Sequence, residues 1–327
     1  MHKLATWLPV RVDAMRDLTP SIREFKIVGL PPATCTPGAH VNVRVLIGGA
    51  PDHRSYSVTR QLPDGSFFIA VKRAPQSRGG SAYMWALEVG SPLQITPPAC
   101  DFALQYGQAH YLLIAGGIGI TPIYSMALAL AARGAVVRLL YAARSAEEFA
   151  FRQELQAALG SGVEFVCAAA GQRLDIAAEV NALPAGAGLY VCGPIGLMDA
   201  VREVWAASRR APTQLHFETF GAGGRHATQA FTVNVPRLGL RLQVPGTQSM
   251  LDALTQAGVP LLSDCRRGEC GLCAVDILEL HGELDHRDVF FSAQEQRSAR
   301  RMCACVSRLA GGEVSIEAAW RPDPVLR

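Results

Sequence analysis

The sequence predicts a multidomain chain: an antiparallel β-barrel, then an α/β domain on a parallel sheet, then a small α+β domain of β-grasp type. Three observations predict it. At 327 residues the chain is long for one core, since a domain runs to roughly 100–200 residues. Its texture changes from closely spaced strands to alternating strands and helices near residue 105, and again after the glycine-rich joint Gly221–Gly224. Five of the nine cysteines crowd into the last fifth, at 265, 270, 273, 303 and 305.

Residues 1–105 carry strand-like runs at Arg23–Leu30, His40–Leu46, Arg54–Arg60, Ser66–Arg73 and Pro92–Thr96, with Pro37-Gly38 and Asp64-Gly65 as turns. Few helical stretches intervene, which suits a closed antiparallel sheet. Residues 106–222 alternate. Strand Tyr111–Ala115 leads to a helix near Thr121, and strand Val136–Ala142 to a helix through Glu154, for which Ser145 and Glu148 form a capping box. Strands Gly162–Ala168, Gly188–Val191 and Gln214–Phe220 follow, with a helix at Gly196–Ala207. Residues 228–327 open with strands Phe231–Val235 and Leu240–Val244 and a helix at Ser249–Ala257.

Composition excludes several classes. Hydrophobic residues at 49% and charged residues at 18% exclude wholesale disorder. A net charge of +3 is too even for a nucleic-acid footprint. The N-terminus lacks a secretory pattern. Tyr111–Ala132 is uncharged, but Gly116, Gly117, Gly119 and Pro122 interrupt it, so it reads as strand, turn and helix rather than a membrane span. A cytoplasmic protein without membrane contact is expected. There the odd cysteine number points to a metal or cluster site rather than disulfides.

The strongest motif is Cys265-Arg-Arg-Gly-Glu-Cys270-Gly-Leu-Cys273, a C-x4-C-x2-C run with a further cysteine about thirty residues later. This is the plant-type spacing for a [2Fe–2S] cluster; zinc is the alternative, although zinc ribbons pair two short knuckles. Cys303 and Cys305 lie two apart, on one side of an extended strand, and spacing does not choose between them. The second motif runs from Ala115 through Gly116, Gly117 and Gly119 to Thr121 and Pro122, letting backbone approach a dinucleotide, with Thr121 as the helix cap. A second turn, Cys192-Gly193-Pro194, closes a later strand of the same sheet, and two such turns at carboxyl ends mark a ligand crevice. The third motif is Arg54-Ser-Tyr56-Ser57, followed by Arg78-Gly79-Gly80-Ser81.

In this order the motifs resemble the phthalate dioxygenase reductase family, which includes reductases of vanillate demethylases and related Rieske oxygenase systems. The resemblance spans essentially the whole chain. It implies a flavin barrel, a nicotinamide domain and a C-terminal ferredoxin domain; related reductases place the ferredoxin domain first. It implies FMN bound by Arg54, Tyr56, Ser57, Val71, Lys72, Arg78, Gly79, Gly80 and Ser81, with Thr121 between flavin and nicotinamide. NADH would lie at Gly116, Gly117, Gly119, Cys192, Gly193 and Pro194, with Arg144 at the adenosine half. Arg144 and Arg152 would welcome a 2′-phosphate, whereas Glu147 and Glu148 would oppose one. Phe220 matches an aromatic near the flavin, and Thr121, Cys192 and Phe220 would act by positioning. Because Cys305-Val-Ser-Arg308 matches the family, it selects Cys305 as fourth cluster ligand beside Cys265, Cys270 and Cys273. Asp285–Asp288 is also family-like and reads as a polar turn with a solvated His286.

The implied function is to carry electrons from NADH through FMN and the cluster to a terminal Rieske oxygenase, the protein working as a monomer. Arg266, Arg267, Arg297, Arg300 and Arg301 would steer an acidic partner. The alternatives are a reductase for another acceptor, such as a cytochrome P450, and a redox sensor without turnover.

Overall fold

Valines alternate with polar residues from His40 to Ile47, and a strand with that pattern buries one face. In the computed structural model, which describes residues 6–32, 35–74, 79–220 and 224–318, Val41, Val43 and Val45 of this strand are buried. It is the third of six: β1 (Leu8–Thr19), β2 (Ile22–Val28), β3 (His40–Ile47), β4 (Ala50–Gln61), β5 (Phe67–Lys72) and β6 (Pro92–Ile95), with helix α1 (Gly80–Trp85) before the last. They close into an antiparallel barrel in the order β1-β2-β5-β4-β3-β6. Val12, Phe25, Ile27, Phe67, Ile69 and Ile95 complete its core with the β3 valines.

The following segment holds β7 (His110–Gly116), α2 (Ile120–Ala131), β8 (Val136–Ala143), α3 (Arg152–Leu159), β9 (Val163–Cys167), α4 (Ile176–Ala182), β10 (Gly188–Cys192), α5 (Ile195–Ala207) and β11 (Leu215–Glu218). The sheet is parallel, in the order β11-β10-β7-β8-β9. Strands β7 and β10 are buried almost throughout, as helix-covered parallel strands are. The uncharged stretch from Tyr111 is a strand, a short turn and α2, and no helix among the described residues is long and apolar enough to cross a membrane.

The expected capping box at Ser145 does not form. Ala146–Glu148 is a 3-10 turn without a side-chain cap, and α3 begins only after Phe151, whose φ is 57°. Glu148 is drawn away by tertiary partners: it accepts from the hydroxyl of Ser21, in the turn between β1 and β2, and sits 3.4 Å from Nζ of Lys72 at the end of β5. Thr121 is not a cap either. Helix α2 starts at Ile120, and the Thr121 hydroxyl donates back to the Ile118 carbonyl at 3.0 Å.

The last segment comprises β12 (Phe231–Val235), β13 (Leu240–Val244), α6 (Met250–Gln256), β14 (Ala274–His281), β15 (Leu284–Asp285), α7 (Ala293–Ser298), β16 (Arg301–Cys303), β17 (Arg308–Leu309) and β18 (Glu313–Glu317). Its mixed sheet runs β13-β12-β18-β14-β16, with β12 and β18 parallel, and β15 pairs separately with β17. Met250, Leu251 and Leu254 of α6 sink into the core this sheet forms with Phe231, Val233, Val314 and Ile316, the α+β arrangement expected of a β-grasp domain. Breaks at 193/194, 199/200 and 218/219 divide the chain into two compact units, one containing the barrel and the parallel sheet, the other this mixed sheet.

A capping box does occur, at Ser292. The Glu295 N–H donates to Ser292 Oγ at 3.3 Å and the Ser292 N–H to Glu295 Oε2 at 2.9 Å. Ser292→Ala is expected to cost about 1 kcal/mol, read as a lower urea midpoint for the C-terminal unit; an unchanged midpoint would contradict it.

Candidate functional site: a barrel strand, two glycine turns and a cysteine loop

Residues facing each other across an antiparallel pair share a face. Tyr56 lies opposite Val41 and Arg54 opposite Val43, so both belong to the β4 face that meets the barrel core. Burial pushes the Tyr56 phenol above its ordinary value, so it stays protonated as a hydrogen-bonding ring. The Arg54 guanidinium donates to Asp52 at 2.7 Å and to the His53 carbonyl at 2.7 Å. Burial pushes Asp52 up, but the Arg54 and His53 hydrogen bonds outweigh it and hold the carboxyl below its usual range.

Arg54 also explains a glycine. A Cβ on Gly80 would come 2.6 Å from Arg54 Nε and 2.7 Å from its Cγ, so this close approach of arginine to backbone requires glycine. Arg54, Gly79, Gly80 and Ser81 thus lie together, while Ser81 Oγ accepts from the Ala74 N–H at 3.2 Å. A guanidinium held against glycine backbone beside a hydroxyl fits a phosphate. Buried Ser57 and Val71 and half-exposed Lys72 line the neighbouring strands, and the Val71 carbonyl accepts from Trp85 Nε1 at 3.1 Å. Arg78 lies outside the described residues.

The two glycine turns meet. Sequence order first adds β8 and β9 on one side of β7, then β10 on the other, so the sheet reverses direction between β7 and β10. Ligands of such sheets bind at that reversal, beyond the carboxyl ends. Ala115 lies opposite Cys192 across the pair, and a Cβ on Gly119 would fall 2.2 Å from the Cys192 carbonyl oxygen and 2.8 Å from the Gly193 nitrogen. Gly116, Gly117 and Gly119 are therefore gathered with Cys192 and Gly193 around one crevice, with Thr121 and Cys192 both buried. Arg144 follows β8 on the same edge, exposed. Of the two carboxylates expected to oppose a 2′-phosphate, Glu148 is tied to the barrel and Glu147 is exposed.

The cysteine loop folds around sulfur. Arg266 adopts φ 52°, rare for a side-chain-bearing residue, and Gly268 adopts φ 78°. These turns aim the N–H groups of Arg267, Glu269 and Cys270 at Cys265 Sγ, each at 3.4 Å. Burial pushes the Cys265 thiol up against those donors, whereas thiol donation from Cys303 and Cys305 brings Cys273 down. Convergent N–H groups around cysteine sulfur are what thiolate ligands need. A binuclear cluster takes two protein sulfurs per iron, and Cys273 Sγ, 3.1 Å from Cys305 Sγ, fits one such pair.

Cys303 and Cys305 do not share one strand. β16 ends at Cys303, which is fully buried in the sheet core opposite Ala274, and Cys305 lies in the turn beyond. Cys305 Sγ stands 3.1 Å from Cys273 Sγ. His286, expected to be solvated, is buried with Nδ1 3.2 Å from Asp288 Oδ1, because a fully buried carboxylate needs donors. Three of the five arginines expected to steer a partner are neutralised locally: Arg266 by Asp252, Arg267 by Glu269 and Arg301 by Asp276. Sequence reasoning also missed Glu269, whose carboxylate accepts from the Thr219 N–H at 2.8 Å, next to half-buried Phe220.

Residues 113–203 match the oxidoreductase NAD-binding domain family and residues 233–310 the 2Fe-2S iron-sulfur cluster binding domain family. The beta subunit of the heme-dependent oxidative N-demethylase of Ectopseudomonas mendocina is 36% identical over 322 residues, 96% of this chain and 100% of that protein. The carnitine monooxygenase reductase subunit of Escherichia coli is 35% identical over 317 residues, 94% of this chain and 97% of that one. Phthalate dioxygenase reductase, described as a modular structure for electron transfer from pyridine nucleotides to [2Fe–2S], superposes with a TM-score of 0.73 at 30% identity, covering 95% of this chain and 98% of its own. Matched end to end in sequence and fold, and carrying both an NAD-binding domain and a 2Fe-2S binding domain, the chain belongs to the phthalate dioxygenase reductase family as an NAD(P)H-dependent oxidoreductase.

Proposed function

We propose that the protein is the reductase component of a Rieske-type aromatic oxygenase or demethylase, taking electrons from NADH and delivering them singly. Residues 1–105 hold FMN, 106–222 bind NADH and 228–327 hold the [2Fe–2S] cluster. The observation that carries this reading is the cysteine loop, with three N–H donors on Cys265 Sγ and Cys273 3.1 Å from Cys305.

Arg54, Tyr56, Ser57, Val71, Lys72, Arg78, Gly79, Gly80 and Ser81 hold FMN. Gly116, Gly117, Gly119, Cys192, Gly193 and Pro194 receive the nicotinamide dinucleotide, with Arg144 at its adenosine half. Cys265, Cys270, Cys273 and Cys305 ligate the cluster. Bound flavin supplies the exchange between a two-electron hydride donor and a one-electron iron–sulfur acceptor. The chain's own residues position: buried Thr121, its hydroxyl fixed on Ile118, and buried Cys192 give the nicotinamide rigid walls, and Phe220 keeps the positioning role that the family resemblance assigns it. The protein acts as a cytoplasmic monomer, and exposed Arg297 and Arg300 remain to steer an acidic partner.

The test is anaerobic mixing of NADH, catalytic reductase and a purified Rieske oxygenase. Bleaching of the oxygenase's iron–sulfur absorbance is expected. A second reading, a haem-containing acceptor, is favoured by the heme-dependent demethylase whose beta subunit is 36% identical. Reduction of a haem oxygenase while the Rieske protein stays oxidised would select it.

A further inference from the structure

Four consecutive charged or titratable residues are buried from the last residue of β15 toward α7: Asp285, His286, Arg287 and Asp288, with exposures of 2%, 7%, 6% and 0%. Buried charges need partners, and here the partners lie in two directions. Asp285 and Arg287 pair at 2.7 Å and grip the chain that leads into the first strand of this unit. Asp285 Oδ1 accepts from the Arg225 N–H at 3.0 Å, and Arg287 Nη2 donates to the His226 carbonyl at 3.1 Å.

Asp288 serves the other direction. Its Oδ1 accepts from the Ser307 hydroxyl at 2.8 Å, and Ser307 is two residues past Cys305. Its Oδ2 accepts from the Phe291 N–H at 3.1 Å, which bends the chain so that the Val289 and Phe290 N–H groups donate to the Gly268 carbonyl at 3.0 and 3.1 Å. Gly268 lies between Cys265 and Cys270, and a Cβ there would come 2.9 Å from Asp288 Cα. One fully buried carboxylate thus touches the turn carrying the fourth cysteine and shapes the backbone that holds the loop carrying the other three.

We propose that Asp288 is a positioning residue of the cluster site, fastening the 265–273 loop to the 305–307 turn, and that Asp285 has no part in this. The proposal rests on the iron–sulfur reading of the loop. Iron and acid-labile sulfide per flavin, the EPR spectrum of the reduced protein, and the rate at which the visible band bleaches in a chelator are compared in wild type, Asp288→Asn, Ser307→Ala and Asp285→Asn. Asp288→Asn is expected to bleach about tenfold faster with a shifted EPR spectrum, and Ser307→Ala about threefold faster, because each loses hydrogen bonds around a charged group. Asp285→Asn, which disturbs an equally buried carboxylate, is expected to keep the wild-type spectrum and bleaching rate. Where Asp288→Asn does not accumulate, Ser307→Ala against Asp285→Asn decides alone. Wild-type bleaching in Asp288→Asn and Ser307→Ala, or equally fast bleaching in Asp285→Asn, overturns the proposal. Iron absent from the wild type overturns the cluster reading and this proposal with it, which separates the two failures.

Discussion

Cys305→Ser is expected to leave the protein without its iron–sulfur absorbance while NADH still reduces the flavin, and Cys303→Ser is expected to keep the cluster. The two thiols are two residues apart and both buried, so the difference must come from where the chain carries them. Cys303 ends a strand inside the sheet core. Cys305 lies past that end, 3.1 Å from Cys273 Sγ, and accepts from the Gly268 N–H of the cysteine loop. A hydroxyl at 305 is a poor iron ligand, so one-electron delivery should fall by more than about a hundredfold. A hydroxyl at 303 can still hydrogen-bond Cys273 as the buried thiol does, and should cost only stability, of roughly 1–3 kcal/mol. Iron and sulfide analysis of both variants checks this, and a cluster kept by Cys305→Ser but lost from Cys303→Ser would reverse the ligand assignment.

Gly119→Ala carries the second large effect. The new Cβ would lie 2.2 Å from the Cys192 carbonyl oxygen and 2.8 Å from the Gly193 nitrogen. Both are backbone atoms at the end of a fully buried strand, so they cannot rotate away, and the two turns must separate. A displacement of about 1 Å in a positioning element costs on the order of a hundredfold in rate. The kcat/KM for flavin reduction by NADH should drop by about that factor, with the flavin content unchanged. Wild-type kinetics in this variant would remove the crevice between β7 and β10 from the account.

Much of the scaffold was legible because it depends on local pattern. Strands Phe231–Val235 and Leu240–Val244 have the bounds their alternation predicts, and the glycine turns after β7 and β10 stand at adjacent carboxyl ends of the sheet. What stayed hidden depends on tertiary partners. Leu8–Thr19, among the longest strands, was overlooked because its outward residues include Arg11, Arg16 and Asp17 and its pairing with β2 shifts register twice. The Ser145 box looked sound locally, but Ser21 and Lys72 compete for Glu148. The segment Asp285–Asp288 looked like a solvated turn, since sequence alone does not reveal Ser307 and the Arg225–His226 backbone as its partners. The choice between Cys303 and Cys305 was open for a similar reason: the strand they were thought to share stops between them.

The most direct test of the central claim, one chain carrying flavin and cluster in electronic series from NADH, is an anaerobic NADH titration followed by visible absorption. The account predicts that the flavin band and the broad iron–sulfur absorbance both bleach, with about three electrons taken up per protein, two by flavin and one by the cluster. Bleaching of flavin alone, with no iron–sulfur absorbance to lose, would contradict it.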